Sequence, residues 1–253
     1  MTTHAPGIIS LPIAQKPLTI GEMVVADYRK AEVFRKFGLD YCCGGKKPLE
    51  EVCAKKGINP QPIQEALDAL DQSPIEPTHD FEQWPLDKLS THIVEHHHQY
   101  VAAALPMLYE LTAKVARVHG ERHPELVRIA QHFDAVGQEL QSHMLKEERV
   151  LFPYIQELSQ AQRAGRGVEK PAFGSVKNPI QKMESDHESA GGAMETIRQL
   201  SHDYTPPEDA CTSYRVLFAK LQEFEQDLHQ HVHLENNLLF PKTIALENVI
   251  QVA

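Results

Sequence analysis

The sequence predicts an all-α protein in which a small helical domain precedes a four-helix bundle. Apolar residues recur at helical spacing through the long segments, and no stretch has convincing period-two alternation. A His-x-x-x-Glu pair occurs twice, as His143 with Glu147 and as His231 with Glu235. Leu-Phe-Pro begins eight residues after each histidine. Since four residues span about one helical turn, each pair projects from one helix face, and the repeat predicts two related halves of a bundle.

Length, charge and cysteine content narrow the class of protein. The chain has 253 residues, enough for a full core and a small extra domain. Its 25 basic and 35 acidic residues give a net charge of −10 without a Lys/Arg cluster, which argues against nucleic acid or an anionic membrane as partner. No apolar run approaches a membrane span, and the first residues lack the features of a signal peptide. Four cysteines, two of them adjacent, do not resemble a secreted disulfide framework, so we expect a cytoplasmic protein.

The N-terminal segment predicts a loose arm over 1–17 and a helical domain over 18–72. Within this domain we expect a helix from Ile20 to Phe37, a turn over 40–46, and helices over 48–56 and 60–71. The paired glycines of the turn favour a backbone with positive φ.

Three prolines predict a linker over 73–84, and the bundle is expected over 85–249. Its four helices are predicted at 85–118, 123–159, 178–203 and 207–236, the last continuing toward Leu246. Pro153 is expected to bend the second helix near its end.

The repeat also predicts which side chains bind metal. A further histidine precedes each pair, His98 by 45 residues and His187 by 44. All these positions lie on apolar stripes, where an unpaired imidazole or carboxylate would be costly unless a metal satisfies it. His92, His96 and His97 compete for the first position. The spacing and the stripe favour His98, with His97 as the alternative.

Four imidazoles and two carboxylates predict a dinuclear centre of iron or manganese, with iron favoured by the histidine content. The absence of thiolate from this set argues against structural zinc or an iron–sulfur cluster. We expect His229 and His233 to be solvated or to support the ligands. The acidic candidates for a supporting role or an iron exit path are Glu148, Glu184, Asp186 and Glu188, with Glu184 favoured.

The cysteines divide into an adjacent pair and two isolated residues. A stable disulfide between Cys42 and Cys43 is not expected, because it would close an eight-membered ring. Lys46 and Lys47 are expected to favour their thiolates, which gives this pair a candidate catalytic role as thiols. The pair would act as a transient iron or nitrosyl ligand, or as a redox partner of the bundle; the alternative is a tight turn with one buried thiol. Cys53 and Cys211 are expected to be structural, with Cys211 just inside the fourth bundle helix.

At these residues the chain resembles the hemerythrin-like HHE domains, and Asp40-Tyr41-Cys42-Cys43-Gly44-Gly45 resembles the signature of the ScdA-type N-terminal domain. Their union is similar to the Repair of Iron Centres family, and the resemblance covers about residues 20–245. It implies a hemerythrin-like four-helix bundle with two iron ions in a non-haem, oxo- and carboxylate-bridged centre. The implied metal ligands are His98, His143, Glu147, His187, His231 and Glu235.

The same resemblance implies a cytoplasmic protein that helps to repair iron–sulfur clusters after nitrosative or oxidative stress. The chain would supply iron or process NO, with damaged iron–sulfur proteins as partners and NO or O₂ as small ligands. The alternatives are a hemerythrin-type sensor or scavenger of NO or O₂, and a di-iron NO reductase. A flexibly linked thiol domain would also be compatible with a homodimer.

Overall fold

The structure, a computed structural model, describes residues 17–72 and 81–250. Within these two stretches the protein is built from helices and contains no β-strand, so the all-α prediction is confirmed. The predicted arm over 1–17, apart from Pro17, and most of the linker over 73–84 lie outside the described residues and stay predictions. The α-helices are α1 (Ile20–Ala26), α2 (Lys30–Lys36), α3 (Leu49–Lys56), α4 (Gln61–Asp71), α5 (Leu86–His92), α6 (Gln99–His119), α7 (Glu125–Lys146), α8 (Phe152–Ala164), α9 (Lys177–Leu200), α10 (Thr212–Leu234) and α11 (Phe240–Val249).

The first predicted helix is interrupted. α1 begins at a capping box formed by Thr19 and Glu22 and ends at Asp27, whose backbone is extended with φ −151°. The Asp27 carboxylate accepts the Arg29 backbone N–H at 3.1 Å and its guanidinium at 2.7 Å. Such side-chain bonds compete with helical ones, so the prediction of a single helix to Phe37 was wrong.

Four helical arms form the bundle, and three of them are continuous helices with an internal π turn. These turns cover Ile93–His98, Glu147–Leu151 and Glu235–Leu239, and they join α5 to α6, α7 to α8 and α10 to α11. α7 packs between α6 and α9, while α10 packs against α6 and α9.

Two bundle helices differ from their predicted bounds at the connection between them: the third, predicted to end at 203, ends at Leu200, and the fourth, predicted to begin at 207, begins at Thr212. α9 stops at Leu200 because His202, Asp203 and Tyr204 adopt positive φ angles of 49°, 55° and 57°. The Ser201 hydroxyl accepts the Tyr204 N–H at 3.0 Å and holds this left-handed turn.

At the start of the bundle, residues assigned to the linker are packed. Phe81 lies in a short 3₁₀ turn, Phe81–Gln83, and is 7 % exposed against Trp84. None of the helices in the described residues combines the length and apolar character needed to cross a membrane.

Two apolar clusters fill the interior. One joins the N-terminal unit to α6, α7, α10 and the second half of α9, including Phe34, Phe133 and Phe224. The other lies among α5, α8, α11 and the first half of α9. Each bundle arm therefore passes from one apolar cluster to the other, and the polar residues described next lie at this crossing.

Candidate metal centre

The six predicted ligands meet in one buried layer between the two apolar clusters. They are His98, His143, Glu147, His187, His231 and Glu235, and each is between 0 and 3 % exposed. They divide into two groups that share both glutamates. His98 and His231 belong to one group, and His143 and His187 to the other. Within each group one ligand atom from every residue lies within 4.8 Å of the others.

π turns position the two glutamates. Glu147 and Glu235 each begin one, and the N–H of the Phe five residues later donates to the glutamate carbonyl. Proline follows that Phe in both arms, at the second position of α8 and α11. A π turn admits one extra residue and often marks a functional site, so the Leu-Phe-Pro repeat reflects a local backbone feature that the sequence alone did not identify.

The ligand side chains face one another at short distances. Glu147 Oε2 lies 3.1 Å from His143 Nε2 and 3.4 Å from His98 Nε2. In the mirrored half, Glu235 lies 3.0 Å from His187 Nε2 and 3.1 Å from His231 Nε2. Each carboxylate therefore contacts one imidazole from its own arm and one from another arm.

Buried polar atoms without hydrogen bonds indicate whether two cations would fit in the layer. Both Glu147 oxygens, Glu235 Oε2 and His98 Nε2 are buried and, although oppositely charged groups lie close to them, make no hydrogen bond of suitable geometry among the described residues. Such groups are costly to bury unless a charge compensates them. Positive ions shared by the two carboxylates would provide that charge, and imidazole with carboxylate is a donor set that suits iron. The residues fit a dinuclear metal centre.

Burial and the contacts between the glutamates and the histidines determine which side chains of the layer are ionised. Burial opposes ionisation of Glu235, but the facing His231 and His187 outweigh it and bring the pKa of that carboxyl well below its usual range. Burial lowers the pKa of His231, which keeps this ring neutral with a nitrogen lone pair available to a metal.

Two histidines of the layer are oriented by a hydrogen bond at their second ring nitrogen. His98 Nδ1 bonds Glu148 at 2.8 Å, and His187 Nδ1 bonds Asn236 Oδ1 at 2.9 Å. His143 Nδ1 lies 3.6 Å from Asp186 Oδ2, which is too far for a hydrogen bond, and has no hydrogen-bond partner among the described residues. The two hydrogen bonds leave Nε2 facing the layer, which is the usual arrangement for a metal-binding histidine.

The structure decides several alternatives. His97 Nδ1 bonds Asp227 at 2.9 Å while its ring stacks on His231, so His98 and not His97 belongs to the layer. Glu184 was the favoured acidic residue, but it pairs with Lys46 at 2.8 Å and lies outside the layer. As a supporting residue that prediction was wrong, since Glu148 bonds His98 instead; a part for Glu184 in an iron exit path stays a prediction.

One expectation about the flanking residues needs correction, and one residue was missed. His233 is not solvated: it is 1 % exposed and packs edge-on against Tyr41. Asn236 had no predicted role. The signal available in the sequence was its place next to a ligand, on the turn that leads into Leu-Phe-Pro.

The adjacent cysteines lie beside this layer, in a turn held by Asp40. One oxygen of Asp40 accepts the backbone N–H groups of Cys42 and Cys43 at 3.0 and 2.9 Å. The Cys42 thiol donates to Cys43 Sγ at 3.9 Å, and no disulfide joins the two sulfur atoms, in agreement with the prediction. Neither glycine of the turn has positive φ. They allow close approach instead, because a Cβ on Gly45 would lie 2.1 Å from the Tyr41 carbonyl oxygen.

The environment of Cys42 differs from the prediction. Lys46 binds Glu184 and Lys47 binds Glu51, so neither ion pair involves the thiols. The contact with Cys43, burial and the Asp40 carboxylate raise the pKa of the Cys42 thiol well above its usual range. The expectation of a thiolate favoured by lysine was wrong for Cys42.

The cysteine turn docks on the metal-ligand layer. Asn236 Nδ2 donates to the Cys42 carbonyl at 3.5 Å, and Asn237 Nδ2 donates to the Tyr41 carbonyl at 3.3 Å. Cys43 Sγ contacts the carbonyl oxygen of His187 at 3.5 Å. The thiols therefore lie at an internal contact, and the homodimer suggested by an exposed thiol domain stays a prediction.

The two remaining cysteines have opposite environments. Cys53 is 1 % exposed and packs in the core as predicted. Cys211 is exposed at the N-cap of α10 and contacts His119 Nε2 at 3.1 Å, so its placement inside the helix was wrong.

Comparison with known proteins gives two domain matches along the chain. Residues 17–71 match the ScdA_N domain, described as a domain of unknown function, and residues 89–243 match the hemerythrin HHE cation-binding domain. Similar proteins include the iron-sulfur cluster repair protein YtfE of Citrobacter koseri, 36 % identical over 90 % of this chain and 97 % of the relative. The protein of the same name from Pectobacterium carotovorum is 35 % identical over 92 % and 99 %, and that from Yersinia pestis is 37 % identical over 89 % and 96 %.

Proposed function

The chain belongs to the family of iron-sulfur cluster repair proteins that join an ScdA-type N-terminal domain to a hemerythrin HHE domain, and we propose that it repairs damaged iron–sulfur clusters. The observation that carries this proposal is the buried layer, in which two groups of ligands share Glu147 and Glu235. We propose that the layer holds two iron ions. The partners would then be iron–sulfur proteins that have lost or modified clusters after nitrosative or oxidative damage.

The protein's own residues would define how the iron pair is held. Four imidazoles supply neutral nitrogen donors, while the two carboxylates supply the only negative charges within the ligand set. When bound, iron at this layer would offer coordination sites for a small gas such as NO and a store of exchangeable iron. Hard carboxylate oxygens make a less tightly retaining site than thiolates would for ferrous iron, which suits a donor.

Supporting residues would keep each ring in place while iron is exchanged. Glu148 and Asn236 hold the Nδ1 atoms of His98 and His187. The packing of Phe152 against His98 and of Phe240 against His187 excludes water from that side of the layer. The Leu-Phe-Pro repeat thus provides an apolar wall for each half of the site.

We also propose a cytoplasmic setting, because the described cysteines are all free and would persist as thiols in a reducing compartment. Damaged clusters of cytoplasmic enzymes would be the natural clients.

An anaerobic reactivation assay tests the function. Reduced, iron-loaded protein is mixed with an NO-inactivated iron–sulfur dehydratase, and enzyme activity and iron per chain are followed together. Recovery beyond a free-iron control, with matching loss of iron from this protein, is the expected result. His143→Asn should abolish the recovery, while His132→Asn on the same helix should not, because His132 lies outside the layer.

The contrary result would be full retention of iron without recovery of the dehydratase. That outcome would reject repair by iron supply, and consumption of NO with an electron donor would then identify the protein as a scavenger or NO reductase.

A further inference from the structure

A second group of potential metal ligands lies in the cysteine turn, apart from the His/Glu layer. One oxygen of Asp40 and the sulfur atoms of Cys42 and Cys43 all lie within 4.8 Å of one another. The two sulfurs are 3.9 Å apart, and Cys42 Sγ is 3.1 Å from Asp40 Oδ1. Metal–sulfur bonds of about 2.3 Å at tetrahedral angles place two thiolates about 3.8 Å apart. The observed separation therefore matches a single bound cation and is nearly twice the length of a disulfide bond.

The turn presents these atoms from a fixed backbone. Asp40 Oδ1 accepts the N–H groups of Cys42 and Cys43, and Asp40 Oδ2 accepts the N–H of Gly44 at 2.9 Å. Each carboxylate oxygen has two lone pairs, so Oδ2 keeps one for a metal ion.

The turn borders a cavity of about 440 Å³ between the N-terminal unit and the bundle. Its titratable lining is mainly acidic, with Asp40, Glu188, Glu195 and Glu225. The two arginines of the lining are already engaged by carboxylates, Arg35 by Glu32 at 2.6 Å and Arg198 by Glu195 at 3.4 Å. The cavity therefore favours a cation over an anion.

Glu225 supplies an independent sign that this cavity accepts a positive ligand. The residue is 6 % exposed, and its Oε1 has no hydrogen-bond partner among the described residues. The nearest cation, Arg198 Nε, is 3.7 Å away. A buried carboxylate oxygen in this state is costly, and an ion or its bound water in the cavity would satisfy it.

Two glycines keep the cavity open opposite the thiols. Gly191 and Gly192 lie within α9, a helix of 24 residues, although glycine is a poor helix former. A Cβ on Gly191 would lie 3.5 Å from Cys43 Sγ, in contact with the sulfur. Side chains here would fill the space in front of the sulfur atom.

We propose that Asp40, Cys42 and Cys43 form a second metal site that binds one thiophilic divalent transition-metal cation, with an open coordination position toward the cavity. Binding would release the two thiol protons to solvent without any change of oxidation state. Three protein ligands and one open position suit a site that exchanges its metal. Cys43 Sγ contacts the carbonyl of His187, so the cation would lie next to the His/Glu layer. A role of this second site in holding Fe²⁺ temporarily rests on the proposed repair function.

Anaerobic titration of the full-length, di-iron-loaded protein with Co²⁺ tests the site. Thiolate-to-cobalt charge-transfer absorption and metal content per chain are measured while the iron content is followed. We expect one cobalt beyond the bound iron, with thiolate absorption. Cys42→Ser and Cys43→Ser should each weaken this binding more than about tenfold, since even loss of a supporting contact around a metal costs that much.

Cysteines elsewhere in the chain supply controls matched by burial. Cys53→Ser is the control for the variant of the buried Cys42, and Cys211→Ser is the control for the variant of the more accessible Cys43. Both controls should bind cobalt like the unmodified protein. If Cys42→Ser fails to fold, as judged by helix content and iron loading, Cys43→Ser decides the question.

The site would be overturned if no thiolate absorption appears, or if it survives in both Cys42→Ser and Cys43→Ser. The reactivation assay separates this result from the proposed function. Failure of the unmodified protein to reactivate a dehydratase, with cobalt still bound at the cysteine turn, would reject repair and leave the second site standing.

Discussion

Replacement of Asn236 by alanine should weaken metal binding as well as the fold, whereas the same change at the neighbouring Asn237 should weaken only the fold. Asn236 is 5 % exposed, and its Oδ1 accepts the Nδ1–H of His187 at 2.9 Å. Its loss leaves a buried ring N–H without a partner, which costs about 1–3 kcal/mol of stability. A histidine released from such a contact also loses its fixed orientation, and metal affinity falls about 10- to 100-fold. The expected loss in binding free energy is therefore about 1.4–2.7 kcal/mol.

Asn237 provides the matched control. It is the next residue, with the same side chain, and it bonds the Tyr41 carbonyl at 3.3 Å and His233 Nδ1 at 3.0 Å without contacting a ligand. Asn237→Ala should destabilise the fold by about 1 kcal/mol and leave metal affinity unchanged. Chelator competition measures the affinity, and thermal unfolding of the metal-free protein measures the stability. An equal loss of affinity in both variants, or no loss in Asn236→Ala, would refute the assigned role of Asn236.

Three further changes should give distinct results. Glu148→Ala removes the partner of His98 Nδ1, and chelator competition should record a loss of metal affinity of about tenfold. The hydrogen bond from the Arg163 guanidinium is the main reason why the pKa of Asp87 is lowered to about 2. The ionised Asp87 carboxylate therefore stabilises the fold above about pH 4, and this contribution is lost as the pH falls toward 2 and the carboxylate is protonated. Arg163 is half exposed, so Asp87→Asn should cost only about 1 kcal/mol at pH 7 and about half as much at pH 3, measured by urea unfolding. Burial raises the pKa of Glu225 to about 7, so ionisation of Glu225 destabilises the fold as the pH rises above about 4.5. Glu225→Gln should therefore stabilise the metal-free protein by about 1–3 kcal/mol at pH 8 and have little effect at pH 4. Equal effects of Glu225→Gln at both pH values would contradict this explanation.

The convergence of these six side chains could be predicted because its information is local and repeated. A histidine and a glutamate four residues apart on a helix share one face regardless of the surrounding fold. Because the same Leu-Phe-Pro sequence follows both pairs, the two pairs are expected to have equivalent structural environments. The spacing of His98 and His187 then follows from the length of one helical hairpin. Apolar neighbours on the same stripes placed all four histidines in the interior, where the structure has them.

The environment of the cysteine turn could not be predicted, because it depends on contacts between residues distant in the sequence. Cys43 touches the backbone of His187, 144 residues away, and Asn236 reaches Cys42 across 194 residues. Charges near in sequence suggested thiolates, but Lys46 extends to Glu184 and away from the sulfur atoms. Nearness in the sequence therefore gave a wrong prediction of the charges that surround the two thiols.

The π turns and the interruption at Asp27 were missed for a different reason. An amphipathic pattern defines which residues face the core, but it tolerates one inserted residue or a short break between helices. The Asp27 carboxylate bonds Arg29, and this local competition ends α1 although the apolar spacing continues into α2. Hydrogen bonding, and not apolar spacing, determines these details.

Anomalous diffraction from crystals of the iron-loaded protein, recorded at the iron absorption edge, tests the central claim most directly. Two peaks per chain are predicted within the layer, one beside His98 and His231 and the other beside His143 and His187, with both glutamates between them. A single peak, or iron located away from these side chains, would contradict a dinuclear centre in this bundle.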